Sequence, residues 1–198
     1  MSDATTTITR DEVWTLLTEY VQSESLRRHC LSVETAMRAY AEKFGESADD
    51  WGLVGLIHDF DFEIHPTLDQ HPAEGAPILR EHGYPEWAIR AILAHGDNTG
   101  VSPESTMEKT LVAVDELTGF ISAVAFVRPS KAVADVTPSS VKKKMKDKAF
   151  ARAIDRGHIT GGAELLGVDL DEHIQFVIDA MTANAEELGL QGVPANGA

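Results

Sequence analysis

Six side chains in this sequence are of the kinds that hold a metal ion: His29, His58, Asp59, His71, His95 and Asp115. Two of them are neighbours. His58 and Asp59 end the apolar run Gly52-Leu-Val-Gly-Leu-Ile57, where an unpaired imidazole and carboxylate each cost on the order of a few kcal/mol to bury. A divalent cation compensates them, because imidazole nitrogen and carboxylate oxygen both ligate first-row transition metals. The other four also fall on or at the end of apolar segments, so all six are candidates for metal ligation. No thiolate joins the set: Cys30 is the only cysteine, which excludes both a Cys-based zinc site and an intrachain disulfide. Mixed nitrogen and oxygen donors favour iron, manganese, cobalt, nickel or zinc over calcium.

Helices must deliver these side chains. Thr9-Arg-Asp-Glu12 forms a capping box ahead of Val13, Leu16, Leu17, Tyr20 and Val21 at helical spacing. A second helix is predicted from about Glu24 to Phe44, stopped by Gly45, and its stripe of His29, Val33, Ala36, Met37, Tyr40 and Phe44 turns His29 inward. Ser47 caps a third helix through Trp51, Val54 and Ile57; apolar nearly all round, it is central and presents His58 and Asp59 at its C-terminal end. Residues 60–70 have no sustained period and are read as a loop shaping the mouth of a site. A fourth helix is predicted to begin at His71-Pro72 and run to Gly83, and Pro85 opens a fifth that ends at Ala94-His95-Gly96. After a loop from Asp97 to Ser105, a long apolar helix carries Leu111, Val114, Leu117, Phe120 and Ile121, with Asp115 its anomalous residue, and closes at Arg128-Pro129.

The last third is predicted helical too. Val136 to Ser140 forms a turn and cap, followed by an inward face of Val141, Met145, Phe150 and Ile154. Gly161-Gly162 is read as a turn at a helix start. A final helix through Ile174, Val177, Ile178 and Met181 stops near Gly189, leaving residues 191–198 as a flexible tail. No alternating run is long enough for a strand, so the fold class is all-α.

Length and charge narrow the functions. A chain of 198 residues, 43% hydrophobic and 25% charged, suits one globular domain, here residues 1–190. Met1 to Thr7 has neither a basic start nor an apolar run, and no stretch is as long and apolar as a membrane span; a cytoplasmic protein with no membrane partner is expected. A net charge of −15 argues against nucleic acid as a partner. One basic stretch, Lys142 to Arg152, stands out. Lys143 and Lys144, with Arg128 and Lys131 from the preceding turn, are candidates for holding substrate phosphate; the competing reading is a solvated helix face. Trp14, Trp51 and Trp87 are expected in the core. His65 is assigned to a surface loop, and His82, His158 and His173 receive no role. Asp61 and Asp97 are candidates for orienting ligand histidines. The oligomeric state is left open.

The order His29, His58-Asp59, His71-Pro-x-x-Gly75, His95-Gly96, Asp115 resembles the HD-domain superfamily of metal-dependent phosphohydrolases, over about residues 23 to 120. The resemblance implies an HD-type helical bundle, with an HD core at about 23–125 and a C-terminal helical extension at about 130–190. It also implies that His29, His58, Asp59 and Asp115 bind one divalent ion and that, where a second is present, Asp59 bridges to it and His71 and His95 hold it. His58-Asp-Phe-Asp61, Asp115-Glu-Leu-Thr-Gly119 and Lys142-Lys-Lys144 are similar to elements of small stand-alone members without an assigned substrate. Gly83-Tyr84-Pro85 precedes His95 rather than following a double histidine, unlike the cyclic-dinucleotide-degrading branch. The implied activity is hydrolysis of a phosphate ester of a nucleotide or other small molecule by a metal-activated water, with Asp59 at the chemical centre. The same scaffold leaves open a diiron oxygenase and a metal-containing binding or regulatory module.

Overall fold

The computed structural model describes residues 8–193. Among them run nine α-helices: α1 (Arg10–Tyr20), α2 (Glu24–Phe44), α3 (Ala48–Ile57), α4 (Gly75–Glu81), α5 (Glu86–His95), α6 (Thr106–Phe126), α7 (Pro138–Met145), α8 (Arg156–Leu166) and α9 (Leu170–Ala183). One 3-10 turn spans Val133–Asp135, and the extended pairing among the described residues is an isolated bridge between Ala132 and Gln191. The fold is all-α, and no helix among the described residues is long and apolar enough to cross a membrane.

Local chemistry sets the helix ends. At α1 the Glu12 backbone N–H donates to Thr9 Oγ1 and the Thr9 N–H donates back to Glu12 Oε2 at 2.8 Å, and Ser105 with Glu108 repeats the arrangement at α6. Gly45 ends α2 in the left-handed conformation, φ 74°.

Packing then brings three helices together. Every residue of α3 from Trp51 to Ile57 is buried, and α2 lies against both α3 and α6, while α8 covers α6. The contact of α2 with α3 is backbone to backbone: a Cβ on Gly55 would lie 2.9 Å from Glu34 Cα. Glu34 itself is buried, and its carboxylate accepts from Arg10 of α1 at 2.7 Å and Arg38 of α2 at 2.9 Å, which closes the first helix onto the second. One continuous apolar cluster runs from Val13 to Leu190.

Several expectations are corrected. The fourth helix begins at Gly75, not at His71-Pro72. Residues 58–74 wind through successive turns, with His65 N–H donating to Asp61 O at 2.8 Å and His71 N–H to Thr67 O at 2.9 Å, so these backbone groups are satisfied before the helix starts. Gly161 and Gly162 lie inside α8, with Gly162 buried under the Ala113 backbone of α6. The final helix ends at Ala183, and turns through Gly189 tuck Leu188 and Leu190 into the core. Gln191 is bridged to Ala132 and the Val193 N–H donates to Ser130 O at 2.8 Å, so these residues are pinned; Met1 to Thr7 and residues 194–198 lie outside the described residues. Trp51 is core, but Trp87 is 43% exposed.

Gly55→Ala should therefore destabilise the protein by about 1–3 kcal/mol, because the added methyl forces α3 off α2. A lower urea midpoint at unchanged slope is the expected measurement.

Candidate metal centre

Each candidate donor comes from a different piece of this scaffold. His29 lies in the second turn of α2, His58 and Asp59 directly follow α3, His71 sits in the turns before α4, His95 is the last residue of α5, and Asp115 is midway along α6. The fold brings all of them to one place. His29 Nε2 is 3.0 Å from Asp115 Oδ1 and 3.6 Å from Asp59 Oδ2, and His58 Nε2 is 3.4 Å from both Asp59 Oδ1 and Asp115 Oδ1. On the other side of Asp59, its Oδ1 is 3.1 Å from His71 Nε2 and 3.5 Å from His95 Nε2, and those two nitrogens are 3.2 Å apart. Two donor groups result, His29/His58/Asp59/Asp115 and Asp59/His71/His95, each with its ligand atoms within 4.8 Å of one another and with Asp59 in common.

The fit to divalent ions rests on three features. Neighbouring ligands about 2.1 Å from one ion are separated by roughly 3.0–3.4 Å, and the contacts here run from 3.0 to 3.6 Å. Next, the outer nitrogens are committed elsewhere: His58 Nδ1–H donates to Gly55 O at 2.8 Å, His95 Nδ1–H to Ile92 O, and His71 Nδ1–H to Asp61 Oδ1 at 2.8 Å. These bonds fix the tautomers and turn the three Nε2 lone pairs inward. Finally, His58 Nε2 is fully buried with no hydrogen-bond partner, a state that a bound cation relieves. Asp61 is itself buried, and it fits only because Gly75 has no side chain: a Cβ there would lie 2.7 Å from the Asp61 carboxylate.

Charge reinforces the arrangement. Burial pulls the His58 pKa down, yet the Asp59 and Asp115 carboxylates outweigh it and hold it up at about 9. Burial also opposes charge on His71, and Asp59 and Asp61 together lift it to about 10. The carboxyls move the other way: against the pull of burial, His58, His71, His95 and His29 hold Asp59 well below the usual carboxylate range, and His29 and His58 do the same for Asp115. Glu116, next along α6, is pushed up to about 7 by burial and by the neighbouring Asp115. Cys30 is buried and held protonated by desolvation and the same two aspartates, so it supplies no thiolate.

The donors form the floor of a cavity of about 610 Å³. Its wall includes Leu26, Phe62, Leu68 and Ile154, with Glu63, Asp97 and Glu116 as its further carboxyls and His158 at 3.3 Å from Asp97. Arg128, Lys131, Lys143 and Lys144, expected to hold phosphate, are not among the described residues that line it. Lys144 Nζ instead lies 4.6 Å over the Phe150 ring, and Lys142 pairs with Asp171 at 2.6 Å. Asp61 orients a donor histidine as expected, whereas Asp97 pairs with His158. Sequence reasoning passed over His158, Glu116 and His173. His173 is buried, donates from Nε2 to Ala113 O at 2.9 Å and meets the Tyr40 hydroxyl through Nδ1 at 2.6 Å; its i, i+4 partnership with Val177 was the available signal that it faces inward.

An all-α fold whose core helices gather imidazoles and carboxylates around a shared aspartate defines a helical protein with a candidate divalent-metal centre. The family model of the HD domain matches residues 26–118. Residues 26–118 thus form an HD domain, with every donor residue inside the matched stretch and α7 to α9 outside it. No curated protein and no solved structure matches the chain.

Two outcomes are expected. With His58 and His71 protonated in the metal-free protein, ligation at about pH 7.5 must displace protons, so calorimetry in buffers of different ionisation enthalpy should report release of about two per protein, with affinity rising as pH increases toward 9 to 10. Asp61→Ala frees the His71 ring and should weaken metal binding about 10–100-fold in a competition titration.

Proposed function

We propose that this protein is a metal-dependent phosphohydrolase acting on the phosphate ester of a small molecule. The observation that carries the reading is the pair of donor groups sharing Asp59 at the floor of an open cavity. His29, His58, Asp59 and Asp115 would hold one ion, and Asp59, His71 and His95 a second. Such ions, when bound, neutralise phosphoryl charge and lower the pKa of a water.

The chain's own groups perform the rest. Asp59 faces both donor groups, with Oδ2 toward His29 and Oδ1 toward His58, His71 and His95, so one carboxylate fixes their spacing. Gly55, Asp61 and Ile92 hold the imidazoles by their outer nitrogens, which keeps the inner ones deprotonated and aimed once a cation replaces the proton. Beneath them α3 excludes water, since the whole segment from Trp51 to His58 is buried. The cavity opens the site to solvent, with Phe62 and Leu68 at its wall, 41% and 67% exposed.

Metal content of the purified protein, measured together with phosphate release from monoesters and alcohol release from diesters, tests the reading. Wild type should bind metal and release phosphate, and Asp59→Ala should lose bound metal and at least about a hundredfold in kcat/KM. Equal metal binding by the two proteins, or oxygen uptake coupled to substrate without phosphate release, overturns it.

A further inference from the structure

The floor of the cavity does not account for the space beyond it. A second cavity of about 440 Å³ is lined by Ser25, His29 and Gly119, and these same residues line the first. The two therefore meet beside His29. On α6, the residues Asp115, Gly119, Ser122, Ala123 and Phe126 recur at i, i+4, i+7, i+8 and i+11, which places them on one helix face. That face leads from the donor cluster, past the missing side chain of Gly119, into the second cavity over roughly 16 Å of helix.

The walls say what kind of molecule fits. In the second cavity Ala123, Phe126, Leu188 and Leu190 are apolar. Its three serines add little polarity, because Ser32 Oγ donates to Arg28 O at 2.8 Å, Ser122 Oγ donates to Thr118 O at 2.9 Å, and Ser25 Oγ is hydrogen-bonded to Ser23 Oγ at 2.7 Å. Arg28 reaches this cavity already paired with Glu24. The first cavity has no lysine or arginine among its described lining residues and carries Glu63, Asp97 and Glu116 beside the donor carboxylates. One phosphoryl group at the floor can be neutralised by metal ions. A second or third in the first cavity would face Glu63, Asp97 and Glu116 with no lysine or arginine opposite them among its described lining residues, at a Coulomb cost. Phe126 is 46% exposed at the far end, an apolar surface that an apolar ligand would cover.

Resting on the phosphohydrolase reading, we infer that the substrate is an ester with a single phosphoryl group on an uncharged, largely apolar alcohol, whose chain passes Gly119 into the cavity bounded by Ala123, Phe126, Leu188 and Leu190. Nucleoside di- and triphosphates are excluded by the same walls. Gly119 and Phe126 are then specificity-determining residues.

The test compares the metal-loaded full chain on methyl, butyl and hexyl phosphate and on a nucleoside triphosphate, and measures binding of methyl- and hexylphosphonate by calorimetry. Hexyl phosphate should exceed methyl phosphate at least about tenfold in kcat/KM, with a parallel gain in phosphonate affinity, as burial of added methylenes requires. It should also exceed the triphosphate. Gly119→Leu, which fills the passage, should shrink the hexyl-to-methyl ratio in both measurements. Should that variant fail to fold, Phe126→Ser alters an exposed side chain and should shrink the same ratio. A flat chain-length series, or a triphosphate turned over best, overturns this inference and leaves the phosphohydrolase reading standing. No hydrolysis of any ester defeats that reading, and this inference falls with it.

Discussion

Four imidazoles and two carboxylates are crowded on one largely buried floor, with opposing donor atoms 3.0–3.6 Å apart. Taken as bare lone pairs, these groups repel one another and lack the solvent that would screen them. Either protons or cations must sit among them, and the raised His58 and His71 pKa values show how strongly the site demands positive charge. Much of the surrounding structure serves that demand. Outer histidine nitrogens are tied to Gly55 O, Ile92 O and Asp61, and Gly75 leaves the space that Asp61 occupies.

The helices outside the HD match have their own part in holding the floor. His173 of α9 donates to Ala113 O, two residues before Asp115, and accepts from the Tyr40 hydroxyl of α2. Burial depresses the His173 pKa, which keeps the ring neutral and able to both donate and accept. Gly162 of α8 lies directly beneath the Ala113 backbone. The C-terminal extension thus pins α6 at the turn that carries Asp115, and it adds Ile154 and His158 to the cavity wall. The candidate donors belong to the HD core, while part of the cavity wall belongs to the extension.

Electrostatics separate the basic stretch from the site. In a chain of net charge −15, Lys142 to Lys148 stands out in the sequence, but Lys142 pairs with Asp171, Lys144 lies over the Phe150 ring, and none of its lysines lines the cavity. That division leaves the first cavity without a lysine or arginine among its described lining residues.

Most helices were legible because their signals are local. Thr9 with Glu12, Ser47, Gly45 and the all-apolar α3 each declare an end or a face within a few residues, and six donor residues at the inward positions of such helices point to a metal centre before any tertiary contact is known. The sequence by itself determined the all-α class, the six candidate donors and the helices that carry most of them. Only the tertiary structure decided the rest. His71 precedes its helix because turns satisfy the backbone and a buried Asp61 anchors the ring, and both depend on Gly75 lying under that carboxylate. His173 turned inward to satisfy a carbonyl sixty residues away, and the lysines turned aside to partners of their own. Such choices follow from which surfaces meet when helices pack, a pairing of distant residues that no local period encodes.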